Sequence, residues 1–393
     1  LGGFVLNLTP CVLPVIPIKV MTISHHAGSP GKSLMLGLWM FLGVVAFWFG
    51  IGLPVALVSG FADPSMLFGI WWVTLSIGLL IAVMGVGIMG AFSIELPSNV
   101  SAISPKADSP VGSFLFGVMT AVLGLPCFGF VAGALLAGTA TMPWWLVLTI
   151  FTAIGAGMGL PYLVLAAKPE WVNKIPRTGP ASELVKQVMG LLLLAAAAYF
   201  IGSGVLALVG PQDLPWWGKI IHWWGVALFA AAAGLWLITR TLSISKNAAM
   251  RAAMAVIALV LGTGGVAAAT SQTDKARNDF WLPYSEDALN ARLAGGDVVV
   301  LDFTAEWCLN CKALEAAVLG VDPVKPLLLS TGVVPFKADL TRSDAPGWDK
   351  LTALGKTGIP TLAVFGPGTA EPWIANAYTS REVVDAIERA KGQ

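Results

Sequence analysis

The stretch Val298-Val299-Val300-Leu301-Asp302-Phe303-Thr304-Ala305-Glu306-Trp307-Cys308-Leu309-Asn310-Cys311-Lys312 decides the reading of this chain. Its first six residues form an apolar, β-branched run of the kind that makes a buried strand. Two cysteines three apart follow at the start of a predicted helix. Thiols at that spacing can close a small disulfide ring. The N-terminal thiol meets free backbone N–H groups and the positive end of the helix dipole, both of which favour thiolate. Cys308 is therefore the expected nucleophile and Cys311 the resolving thiol, with exchange through a mixed disulfide. A zinc site would need four ligands. The tail has no second cysteine pair, and His25, His26 and His222 all lie in the apolar part of the chain. No metal and no cofactor is expected.

The surrounding tail alternates helices and strands. A helix is predicted from Ser285, with serine as N-cap and acids in the first turn. Further strands are predicted near 333–338, 361–365 and 373–377, and helices near 348–354 and 380–390. This is an α/β pattern. The segment Asp302 to Lys312 resembles the active-site strand, turn and helix of the thioredoxin family. Gly358-Ile359-Pro360-Thr361, about fifty residues later, is similar to that family's cis-proline loop. The resemblance implies a dithiol site of Cys308 and Cys311, with Trp307 before it and Pro360 beside it. It also makes Asp302 the buried acid that helps move protons at Cys311. Glu306 reads equally well as a second tuner or as a solvated acid.

Before the tail the chain changes character. Of the 393 residues 56% are hydrophobic and only 11% charged, which places the chain among polytopic membrane proteins. The net charge of +1 carries no nucleic-acid signal. Eight apolar runs, near 3–24, 34–60, 67–93, 113–140, 144–167, 185–209, 217–239 and 249–269, are long enough to cross about 30 Å of hydrocarbon. Pro10, Pro14 and Pro17 interrupt the first and Pro126 the fourth. Such breaks are tolerated where protein or a cavity re-satisfies the backbone. Alternate loops carry Lys19 and Lys32; Lys106; Lys168, Lys174, Arg177 and Lys186; and Arg240, Lys246 and Arg251. The positive-inside rule puts those loops in the cytoplasm and both ends of the chain outside. Trp71-Trp72, Trp144-Trp145 and Trp216-Trp217 begin spans on the outer side, where an aromatic belt sits. The expected division is a membrane domain over 1–269, a polar linker over 270–279 and a soluble domain over 280–393. A chain starting at Leu1, already apolar, is expected to be a fragment or processed form.

The other two cysteines lie in the apolar part, each directly after a proline: Pro10-Cys11 and Pro126-Cys127. Each belongs to the first span of a block of three, so the blocks run in opposite directions, as in transporters built from inverted repeats. A proline can open a half-helix at no cost, which would put the cysteine in the first turn. A buried free cysteine is also an ordinary small hydrophobe. The shared Pro-Cys context and the appended dithiol favour a redox role for this pair.

Taken whole, eight spans with two Pro-Cys motifs and a thioredoxin-like tail resemble the DsbD family of bacterial inner-membrane thiol:disulfide interchange proteins, including its ScsB-like branch. The resemblance implies that Cys11 and Cys127 form a transmembrane redox pair reduced by cytoplasmic thioredoxin. That pair would then reduce Cys308–Cys311 on the periplasmic side. The acceptor would be a periplasmic disulfide-bearing protein or the family's amino-terminal domain, which is absent here. The competing readings are a quinone-linked disulfide-forming oxidase and a transporter with an attached redox domain. The oxidase reading lacks a close membrane cysteine pair and loop cysteines. Against the transporter, the span middles have no Asp, Glu, Lys or Arg.

Overall fold

The computed structural model describes residues 2–5, 7, 30–57, 68–90, 109–122, 124, 143–167, 180–210, 214–244 and 246–392. Cys11, Cys127, Pro10 and Pro126 lie outside the described residues, as does most of the first expected span. The apolar part contains α1 (Gly2–Val5), α2 (Pro30–Leu57), α3 (Trp71–Ile88), α4 (Pro110–Val122), α5 (Trp144–Ala167), α6 (Pro180–Val209), α7 (Trp216–Ile244) and α8 (Ala248–Arg277). Six of these, α2, α3, α5, α6, α7 and α8, are long and apolar enough to cross a bilayer. They match six of the eight expected spans, and α4 occupies the start of another. The chain is a multi-pass membrane protein.

Helix pairing within this part is reciprocal. α2 packs on α5 and α3 on α6, the second and third helices of the first block against those of the second. The short α1 touches α5 through Gly3 and Gly157, and α4 touches α2 through Gly117 and Gly43. At these crossings glycine allows backbone contact. A Cβ on Gly43 would stand 2.2 Å from the Phe114 carbonyl oxygen, and one on Gly117 2.1 Å from that of Met40. Close approach through small residues is how helices gain van der Waals contact in lipid, where no hydrophobic force drives them together. Outward positions such as Leu79, Leu228 and Val260 are exposed. A bilayer covers such side chains at no cost.

α8 continues to Arg277, so most of the segment expected as a linker over 270–279 is helical. The physical reasons are local. The alanine-rich run favours helix, the Arg277 guanidinium sits 4.5 Å over the Trp216 ring at the start of α7, and Asn278 closes the last turn.

The tail is a five-stranded mixed sheet in the order β1-β3-β2-β4-β5, from β1 (Leu282–Pro283), β2 (Val298–Thr304), β3 (Val333–Asp339), β4 (Thr361–Phe365) and β5 (Trp373–Ala375). β3 lies parallel to β2, and β4 antiparallel. Strand period sorts the core. Val299, Leu301 and Phe303 face a cluster with Leu289, Phe336, Trp348 and both cysteines, while Val298 and Val300 face Leu319, Leu328, Val383 and Ile387. Around the sheet lie α9 (Glu286–Ala294), α10 (Leu309–Leu314), α11 (Val324–Leu328), α12 (Gly347–Ala353) and α13 (Ser380–Ala390). Ser285 caps α9 by accepting from the Ala288 N–H, and Thr379 with Glu382 forms a capping box on α13.

Candidate dithiol site and its seat on the membrane helices

Fully buried β2 ends at Thr304, and the chain turns through Ala305, Glu306 and Trp307 to Cys308, the N-cap of α10. Cys308 and Cys311 form a disulfide with their Cα atoms 5.3 Å apart. The Cys308 Sγ also accepts the Cys311 N–H at 3.2 Å, so the sulfur takes up a helix N-terminal donor. The two cysteines are only 7% and 2% exposed. The Ile359–Pro360 bond is cis, and Ile359 belongs to the same buried cluster as both cysteines.

Four charged groups surround the dithiol turn. Asp302 is buried and its Oδ2 has no hydrogen-bond partner. Burial, reinforced by the nearby Glu315 carboxylate, pushes its carboxyl up to about 8. Glu315 accepts a hydrogen bond from the Thr304 hydroxyl at 2.7 Å. Burial works against its charge, but the Lys312 and Lys337 ammoniums and the Thr304 bond prevail and hold it down to about 2. Lys312, buried between two acids, donates to Glu306 at 2.7 Å and lies 3.9 Å from Glu315. Its burial disfavours the charge, yet Glu306 and Glu315 hold its pKa above the usual lysine range. Glu306, partly buried, is held below the usual carboxylate range because Lys312 outweighs the cost of desolvation. It therefore belongs to an ion-paired network. Glu315 and Lys312 were not singled out from the sequence. The available signal was an acid four residues past Cys311, one helical turn behind the thiol.

The dithiol turn rests on the membrane helices. The Tyr199 hydroxyl, on α6, donates to the Glu306 carbonyl at 2.7 Å, and the Ser203 hydroxyl, one turn on, reaches the same oxygen at 3.4 Å. The Phe68 ring, just before α3, stacks on Trp307 with centroids 5.8 Å apart. The Ser343 N–H donates to the Gly69 carbonyl at 3.2 Å. Leu309, between the two cysteines, packs into the membrane cluster of Tyr199, Phe200 and Trp223. Phe68 and Gly69 precede α3, and Trp223 lies near the start of α7, both ends marked by tryptophan pairs. Each hydrogen bond contributes about 1 kcal/mol and the aromatic pair about 1 kcal/mol. Behind the dithiol, a cavity of about 500 Å³ between α8 and the tail is lined by residues that include Asp274, Lys275, Glu315, Lys325 and Lys337.

Such an arrangement can take up a thiolate at Cys308 and release Cys311. Comparisons with known proteins agree. The family described as cytochrome c biogenesis protein transmembrane domain matches residues 1–205, and a thioredoxin-like family matches residues 280–367. The thiol:disulfide interchange protein DsbD of Pseudomonas fluorescens is 27% identical over 398 residues, covering 94% of this chain and 65% of that protein. DsbD 1 of Pseudomonas aeruginosa is 26% identical over 393 residues, with 94% and 65% covered. DsbD of Escherichia coli strain 536 is 26% identical over 401 residues, with 94% and 66% covered. The chain thus spans about 65% of the length of the curated relatives it matches. No solved structure matches.

Proposed function

This chain belongs to the cytochrome c biogenesis protein transmembrane domain family, and from that premise we propose that it is a transmembrane thiol:disulfide reductase. Its membrane domain, residues 1–269, carries the electrons, and its tail, residues 280–393, delivers them on the periplasmic side of a bacterial inner membrane. The observation that carries this reading is the seating of the Cys308–Cys311 disulfide on membrane helices, beside the tryptophan-marked helix ends. The loop charges support the same orientation.

In the proposed cycle, cytoplasmic thioredoxin gives two electrons and two protons to a Cys11–Cys127 disulfide. One membrane thiolate then attacks the Cys308 Sγ, and the Cys308–Cys311 bond breaks as the mixed disulfide forms. Cys311 leaves as thiolate and takes a proton. The second membrane thiolate displaces Cys308 and re-forms the Cys11–Cys127 disulfide. Asp302, which keeps its proton at neutral pH, is the proposed proton source for Cys311. Glu306 and Lys312 brace the turn. Trp307 and Pro360 flank the sulfurs, and Pro10 and Pro126 open the half-helices that present the membrane thiols. The reduced tail then reduces a periplasmic disulfide-bearing protein or a further domain.

The test uses the purified protein in lipid vesicles with reduced thioredoxin on the cytoplasmic face only. The Cys308–Cys311 state is followed by the mass shift on thiol alkylation. Reduction in the parent and none in Cys11→Ala is the expected result. Reduction in Cys11→Ala at the parent's rate, or none in either protein, overturns the relay.

A further inference from the structure

We propose that Tyr199, Ser203 and Phe68 form a receptor on the membrane domain for the Glu306–Trp307 turn, positioning the dithiol for exchange while closing it to soluble partners. The inference rests on the relay reading above and assigns its positioning residues.

The contacts are specific in kind. A carbonyl oxygen has two lone pairs, and those of Glu306 face two hydroxyls from successive turns of α6, at 2.7 and 3.4 Å. Because the receptor grips backbone, its hold on the turn does not depend on the sulfurs' redox state. The single Ser203 proton is shared with the Tyr199 carbonyl at 2.9 Å, the shorter contact, so Ser203 keeps a partner inside α6 when the tail leaves. Tyr199, whose hydroxyl also interacts with the Ser203 side chain, gives its hydroxyl proton to the tail. Its ring packs edge-on against Phe200 and Trp223, which aims the hydroxyl out of the helix cluster at the tail. A buried hydroxyl without a partner is costly, and the Glu306 carbonyl meets that need.

The second grip is aromatic. Trp307 is fixed within the tail by its Nε1–H, which donates to the Thr341 carbonyl at 3.2 Å. Its face is thereby held out to Phe68, a residue that packs against both the tail core and the membrane cluster. Directly after the two gripped residues come Cys308 and Leu309, the latter packed against the membrane cluster. The face seated on the membrane helices is thus the face a soluble acceptor must reach. The receptor holds one state of the tail, and delivery requires its release.

The experiment reads both functions of the receptor. The full chain is reduced with dithiothreitol, and alkylation of Cys308 by a bulky polyethylene-glycol maleimide is timed by peptide mass. In Tyr199→Phe/Ser203→Ala, Cys308 alkylation should accelerate several-fold while reduction of the tail by the membrane pair slows several-fold. Phe68→Ala should move both rates the same way, and Phe68→Trp should restore them. A general loss of structure would not be rescued by Phe68→Trp. Unchanged alkylation in both variants overturns the receptor, as does a fall in both rates together. Alkylation needs no relay. Faster alkylation in variants of a protein whose parent fails the vesicle test would keep the receptor and reject the relay.

Discussion

Asp302 is the residue whose protonation decides most about the site. Its carboxyl has a pKa of about 8 in the folded protein, against about 3.9 for an unperturbed aspartate. Between those values the unfolded chain has released a proton that the folded chain keeps, so stability falls as pH rises across that window. Asp302→Asn removes the penalty. The tail's unfolding midpoint should rise by several °C at pH 8 and stay unchanged at pH 4 in thermal melts. The same variant should slow the relay on the order of 10–100-fold, since it deletes a proton donor. An equal midpoint change at both pH values would mean that Asp302 is ionised when folded. Asp302 was singled out in the sequence through the resemblance of its strand and turn to the thioredoxin family. Its partner Glu315 was not, since an acid in an exposed helix and an acid beneath a sheet look alike until the helix is docked. Glu306 was read either as a second tuner or as a solvated acid, and in the structure it is ion-paired with Lys312.

Among the elements, the long apolar helices and the strands of the tail were readable from period and run length. Their neighbours were not. Hydrophobic period says that a helix is buried or lipid-covered, yet it does not name the helix that touches it, and the glycine crossings answer that question. Two glycines of α2 make the contrast testable. Gly43 meets α4 backbone, whereas a Cβ on Gly50 would meet nothing within 4 Å. Gly43→Ala should lower the melting temperature of the detergent-purified protein by several °C and slow the relay, because α4 leads toward Pro126 and Cys127. Gly50→Ala should leave both unchanged, and equal losses in the two variants would rule out the close crossing. The strand β1 escaped sequence reading because two residues carry no pattern. The helical end of α8 escaped because a polar run that packs on a neighbouring domain looks like a linker.

For the whole molecule, the decisive relation joins Tyr199 to Glu306, which stand 107 residues apart. No local signal encodes such a contact: the dithiol motif could be read, but nothing in the sixth apolar run singled out Tyr199. The path between them ends in α8, which carries the tail on an unbroken helix to Arg277. One alanine inserted after Thr270 would turn everything beyond it by about 100°. That insertion should cut the relay more than roughly tenfold, while dithiothreitol still reduces the tail. A glycine inserted between Asn278 and Asp279, beyond the helix, should be tolerated in the same vesicle assay. Equal relay in both would show that α8 does not set the tail's orientation. The seating of Leu309, next to Cys308, among membrane residues also bears on steady-state behaviour. In the proposed relay donor and acceptor cannot occupy one face together, so turnover should follow a ping-pong law. Double-reciprocal plots at different acceptor concentrations would run parallel. A large excess of acceptor would then inhibit, by holding the tail away from the only source that can recharge it.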